Sequence, residues 1–192
     1  MPREVEIKFF VADLKALERM VRAAGFRRIT PRTHEMNTLY DLPGIPLRRR
    51  GELLRIRRYG KEWRFTHKAA ARAGRHKSRA ETETVVGDGA RLEGILRSLG
   101  FQPTFRYEKF RSEWSDGRGH VVLDETPIGN VAEIEGAPRW IDRIAKKLGV
   151  APADYITASY VTLFFDWKAS TGSTADEMTF KAVGKKGPAK RR

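Results

Sequence analysis

The chain has 192 residues, 40% of them apolar, enough for one substantial core or two small ones, and this excludes wholesale disorder. It has no cysteine, which rules out disulfides and thiolate-held metals, and no stretch approaches the ~20 apolar residues that span a bilayer. A net charge of +14 points to polyanionic partners, and the charged Met1–Phe10 stretch lacks a secretory signal, so a cytoplasmic protein is expected.

In chain order, Glu4-Val5-Glu6 opens an extended segment. Asp13 then caps a helix with Leu14, Leu17 and Val21 on one face, closed by Gly25. Strand-like runs follow at about 33–41, 52–59 and 61–68, with a turn at Asp41-Leu42-Pro43-Gly44 and a hairpin at Gly60-Lys61. Residues 69–78 read as a basic loop. Glu81-Thr82-Glu83 repeats the first layout, leading through Asp88 to a helix carrying Leu92, Ile95, Leu96 and Leu99 before Gly100. Two more runs, about 104–115 and 119–125, flank a turn at 115–119. The layout recurs once more in Glu133-Ile134-Glu135, then Pro138 and a helix with Ile141, Ile144, Ala145 and Leu148 before Gly149. Residues 158–167 fit either a strand or a short helix. After Ala169 the composition turns to Ser, Thr, Gly and Lys, and order is expected to end. The division is therefore a folded domain over 1–168 and a basic, disordered tail over 169–192, solvated or available to polyanions. Roughly eight strands joined mostly by hairpins, with three or four helices, read as α+β: an antiparallel sheet or closed barrel with helices packed outside.

Side chains two apart share a strand face. Glu4, Glu6 and Lys8 fall together, as do Arg55 with Arg57, Arg64 with Thr66 and Lys68, Glu81 with Glu83, Lys109 with Arg111, and Glu133 with Glu135. The opposite faces are apolar in several strands, for instance Val5, Ile7 and Phe9. One such strand is an ordinary solvated face; six are not. If helices cover the apolar faces, the charges line a barrel interior that is wet or ligand-filled, since dry burial costs several kcal/mol per ion. Acids suit a hard cation such as Mg²⁺ or Mn²⁺, while Arg and Lys grip phosphate oxygens. The histidines (His34, His67, His76, His120) show no metal-ligand spacing, and no Walker loop is present.

Glu4-Val5-Glu6-Ile7-Lys8 resembles the ExExK signature of the CYTH superfamily, the triphosphate tunnel metalloenzymes: class IV adenylyl cyclases, thiamine triphosphatases and inorganic triphosphatases. The match continues through residues 37–41, 54–58, 66–68, 79–83, 109–111, 123–125, 129–135 and Ser159-Tyr160, over about 3–165. The resemblance implies an eight-stranded antiparallel tunnel open at both ends. Glu4, Glu6 and one or both of Glu133 and Glu135 would hold the divalent metal, and Lys8, Arg55, Arg57, Lys68, Lys109 and Arg111 the triphosphate. Glu81, Glu83 and Asp124 would orient those bases or help bind a second metal. Tyr40 and Lys68 resemble a pair that activates water in hydrolytic relatives. Val131 stands where the family often has an aromatic residue. The expected activity is metal-dependent hydrolysis of a triphosphate, inorganic, thiamine or nucleoside. The alternatives are an adenylyl cyclase and a non-enzymatic polyphosphate or nucleic-acid binder, though the last has no use for paired glutamates that repel phosphate.

Overall fold

A computed structural model describes residues 3–72 and 74–184. Its strands are β1 (Arg3–Val11), β2 (Arg27–Asp41), β3 (Leu53–Tyr59), β4 (Glu62–Lys68), β5 (Lys77–Val86), β6 (Gln102–Ser115), β7 (His120–Thr126) and β8 (Gly129–Glu135). They close an antiparallel barrel in the order β1-β5-β4-β3-β2-β6-β7-β8, β8 returning to β1. Six helices accompany it among the described residues: α1 (Leu14–Ala23), α2 (Pro46–Arg49), α3 (Gly89–Ser98), α4 (Pro138–Lys147), α5 (Tyr160–Thr171) and α6 (Phe180–Val183). The expected α+β barrel with outer helices is what forms.

The helices begin where the caps predict. Asp13 accepts hydrogen bonds from the N–H groups of Lys15 (2.8 Å) and Ala16 (3.1 Å), and Asp88 from that of Arg91 (3.0 Å). α1 and α4 press Leu17, Val21, Trp140, Ile141 and Ile144 onto the outward residues of β1, β7 and β8, among them Ile7, Val121 and Ile134. α3 covers Leu54 and Ile56 on the other flank with Leu96. The turn between β6 and β7 tucks under Trp140, and a Cβ on Gly119 would lie 2.6 Å from that ring.

Two boundaries differ from the sequence reading. β2 begins at Arg27, because residues 27–33 pair with β6 despite register shifts and solvent-facing side chains that erase any alternation. β5 starts at Lys77, inside the expected loop.

The ambiguous 158–167 segment is helical, and order does not end at Ala169. α5 runs through Thr171 and closes on Gly172 at φ +67°. The chain then turns back onto β6, whose first half has no β7 residue opposite it. There the Met178 N–H donates to the Arg106 carbonyl and the Glu108 N–H to the Met178 carbonyl, both at 3.0 Å. Ala175 and Met178 are buried, so tertiary contacts order a segment whose composition reads as loop. Residues 185–192, the remainder of the expected tail, lie outside the described residues.

α5 also alters the tunnel. Leu39, Phe105, Tyr107 and Val131 share the inward faces of their strands, and Tyr160, Leu163 and Phe164 pack against them. Ile156 pairs with Lys8 through two 2.8 Å backbone bonds on the β1 edge that β5 leaves free. These apolar side chains cover part of one end of the barrel. Val131 needs no aromatic ring because α5 supplies the bulk. No helix among the described residues is long and apolar enough to cross a membrane.

Candidate functional site

Antiparallel register brings the charged faces together. Glu6 lies opposite Lys77 on one side and Glu135 on the other, Lys8 opposite Glu133, Arg55 opposite Thr66, Lys68 opposite Glu81, and Arg111 opposite Asp124. Because strand parity is kept all round, every predicted metal or phosphate residue points into one cavity or its wall.

Within it, acids and bases are interleaved. Lys68 Nζ bridges Glu4 (2.7 and 2.8 Å) and Glu81 (2.8 Å), and Arg79 also reaches Glu4 (3.3 Å). Glu6 pairs with Lys8 (2.6 Å) and Lys77 (3.1 Å). Glu133 pairs with Arg111 (2.8 Å) and Lys8 (3.5 Å). Arg55 spans Thr66 (3.2 Å), Glu83 (3.4 Å) and the Tyr107 hydroxyl (3.4 Å). Asp124, fully buried, takes Arg111 through both oxygens (2.8 and 2.6 Å), Lys109 (2.9 Å) and the Tyr160 hydroxyl. Space left to water between them is about 60 Å³, room for a water or two.

Three groups were not singled out from the sequence. Glu35 is fully buried beside Arg57 (3.4 Å), Lys109 (3.6 Å) and Arg111 (3.8 Å), and these cations outweigh the burial that would raise its carboxyl, holding it far below the ordinary range. Tyr107 lines the cavity, where burial is outweighed by Arg55, Arg57 and Lys109, which lower its phenol. Lys77 is pushed down to about 8 by burial and by Lys8. Parity was the available signal: Glu35 and Asn37 share a face, and Arg57 Nε donates to Asn37 (3.0 Å), but a search for like-charged pairs passes over a Glu-x-Asn.

Tyr40 is a correction. Since Glu35, Asn37 and Leu39 take the inward face of β2, Tyr40 falls on the outward one, packed with Leu54, Ile56 and Leu96. Its hydroxyl engages Glu93 of α3; burial and that carboxylate raise it to about 12. Lys68 is inside, held by Glu4 and Glu81, so the two form no pair. His67, on the face opposite Lys68, is outward, 3.3 Å from Glu52.

Among the described residues no three His, Asp or Glu side chains already stand in coordinating position. The donor set nevertheless suits a hard cation, being all oxygen and drawn from adjacent strands β1 and β8. Burial raises Glu4, but Lys68, Arg79 and Lys8 outweigh it and hold it at about 2. Glu135 is pushed up to about 7 by burial and by Glu4, Glu133 and Glu6, a crowding of like charge that a cation would relieve.

Glu135 makes stability pH-dependent. Its folded carboxyl binds a proton more tightly than the unfolded one, so its contribution is complete below about pH 4.5 and is lost as pH rises to about 7. Glu135→Gln should flatten that part of the curve, which thermal melts between about pH 5 and 8 would record. An unchanged slope would show that the carboxyl is ionised throughout.

The CYTH domain pattern matches residues 2–160, most of the chain. The chain belongs to the CYTH family. Solved structures agree with this CYTH fold. A Vibrio parahaemolyticus protein described as a candidate adenylate cyclase is 22% identical, with TM-score 0.75 over 84% of this chain and 97% of the other. A Pyrococcus horikoshii protein is 24% identical, with TM-score 0.72 over 85% and 98%. A Hippeastrum protein, described as a candidate adenylyl cyclase with dominant triphosphatase activity, is 18% identical, with TM-score 0.59 over 85% and 95%. No curated protein matches the CYTH chain in sequence.

Proposed function

We propose that this CYTH protein is a divalent-metal-dependent hydrolase of a triphosphate bound inside the barrel. The observation that carries the reading is the mixed inward wall, with Lys8, Lys68, Arg55, Arg57, Lys109 and Arg111 lining one cavity with Glu4, Glu6 and Glu133. A pure polyanion binder gains nothing from those acids.

With so little space between the paired side chains, phosphate binding amounts to partner exchange. The triphosphate takes Lys8 and Lys68 from Glu6, Glu133 and Glu4, each loss costing about 3–5 kcal/mol if left uncompensated, and meets Arg55 and Arg57 where Glu83 and Glu35 hold them. Glu4, Glu6 and Glu133, so released, would hold Mg²⁺ or Mn²⁺ with Glu135 beside them. When bound, the cation would neutralise charge on the phosphate oxygens and lower the barrier to in-line attack. Glu35 and Asp124 keep Arg57, Lys109 and Arg111 aimed inward. Glu81 and Glu83 do the same for Lys68 and Arg55. With Tyr40 outside, Tyr107 and Tyr160 are the phenols lining the cavity. Tyr160 is committed to Asp124, so Tyr107 is the hydroxyl available to a phosphoryl oxygen or to the attacking water.

The second reading is an adenylyl cyclase. Phosphate and cyclic AMP released from inorganic and nucleoside triphosphates, with Mg²⁺ or Mn²⁺, separate the two. Phosphate without cyclic AMP, abolished by excess chelator, is expected. Cyclic AMP as the main product would replace the hydrolase, and turnover undiminished by chelator would remove the metal. The bases of 185–192 would serve only long polyanions, at low salt.

A further inference from the structure

Two segments that line the charged cavity meet end to end along one edge of β1. β5 pairs with that edge as far as Lys77 opposite Glu6, and at Lys8 the edge is taken by Ile156. β5 carries Lys77 and Arg79 into the cavity, and the stretch after Ile156 carries Ser159, Tyr160 and Val161. At the junction, the side chains just beside the two pairing residues turn to a single carboxylate on α4. Alternation puts His76 on the face opposite Lys77 and Tyr155 on the face opposite Ile156. The Tyr155 hydroxyl donates to Asp142 Oδ1 at 3.1 Å. His76 Nε2, which faces a carboxylate and so carries the proton, donates to the same oxygen at 2.9 Å. Arg75 reaches it at 3.4 Å. The His76 side chain is only 12% exposed, so water does not compete freely for its contact.

Neither His76, Asp142 nor Tyr155 lines the charged cavity. Their reach into it is through the backbone. Lys77 is the first residue of β5, at the end of its pairing with β1, where strands fray most easily. Its ammonium meets Glu6 at 3.1 Å, and the residue before it is the one that Asp142 anchors. We propose that Asp142 is a positioning residue: by holding His76 and Tyr155 it fixes the two segments against each other and keeps Lys77 and Arg79 turned toward the substrate phosphates. This rests on the triphosphate reading above.

Asp142→Ala removes both contacts, whereas Asp142→Asn keeps an oxygen in place of Oδ1 to accept them. Two readouts follow each variant: kinetics with inorganic triphosphate, and acylation of Lys77 measured by mass spectrometry, with melting temperatures confirming the fold. Lys77 and Arg79 would hold the phosphates in ground and transition states alike, so D142A should raise KM roughly fivefold while kcat stays within about twofold. Lys77, 7% exposed in the intact structure, should be acylated about tenfold faster in D142A. D142N should stay close to wild type in both readouts. Tyr155→Phe, which deletes one contact and keeps the ring, should fall between. A merely structural role would lower kcat with the amount of folded protein and leave KM unmoved. That result, or unchanged acylation of Lys77, would overturn the proposal. D142N matching D142A would overturn it as well, because the two contacts would then not be what Asp142 supplies. If wild type turns over no triphosphate, the triphosphate reading falls, and acylation by itself decides whether Asp142 positions Lys77.

Discussion

Asp124→Ala should lower the stability of the barrel by about 3–5 kcal/mol, because removing one partner of a buried ion cluster strands the others. Asp124 is fully buried on β7 and accepts from Arg111, Lys109 and Tyr160 at once. The losses are unequal. Arg111 keeps Glu133 at 2.8 Å, whereas Lys109 keeps only Glu35 at 3.6 Å. For a domain of this size the cost corresponds to a melting temperature lower by roughly 10 °C. Adding Lys109→Met to the same protein should restore part of it, since it removes the most isolated cation along with its acid. A single variant melting within about 2 °C of wild type would mean that water reaches the cluster and screens it.

Truncation after Thr171 should be almost as damaging. It removes Met178, whose burial stabilises by about 1.5–3 kcal/mol, and the two Met178 backbone bonds to β6, each about 1 kcal/mol. It also removes the Phe180 N–H that donates to Glu108 (2.7 Å) and the Phe180 ring, 5.6 Å from that of Phe110. The sum, about 3–5 kcal/mol, loosens the side of the barrel that carries Tyr107 and Lys109, so triphosphate turnover should fall with stability. Ending the chain at Gly184 instead should preserve both and weaken only binding to long polyanions, through loss of Lys185, Lys186, Lys190, Arg191 and Arg192. If the Thr171 truncation melts like the full chain, the return segment contributes nothing, and the tail boundary belongs at 169 after all.

Local periodicity carried much of this protein into view. Two-residue alternation put Glu4 with Glu6 and Lys8, Arg55 with Arg57, and Lys109 with Arg111 on common faces, and each pair faces inward because that alternation is a property of the extended backbone itself. Asp13 and Asp88 marked helix starts for an equally local reason: a carboxylate two or three residues from free N–H groups caps them wherever the helix later packs. What local pattern could not supply is which strand lies beside which, and in what register. That decided that Asp124 meets Arg111, that Glu6 meets Glu135, and that Glu35 lies within ion-pair reach of Arg57, Lys109 and Arg111. It also turned Tyr40 to the helix layer, since the face carrying Asn37 is the one opposite Arg57. The segment from Ser173 to Val183 shows the same limit from the other side: its composition is that of a loop, and only the apolar face of α5 and the unpaired edge of β6, far from it in sequence, give Met178 a place to be buried.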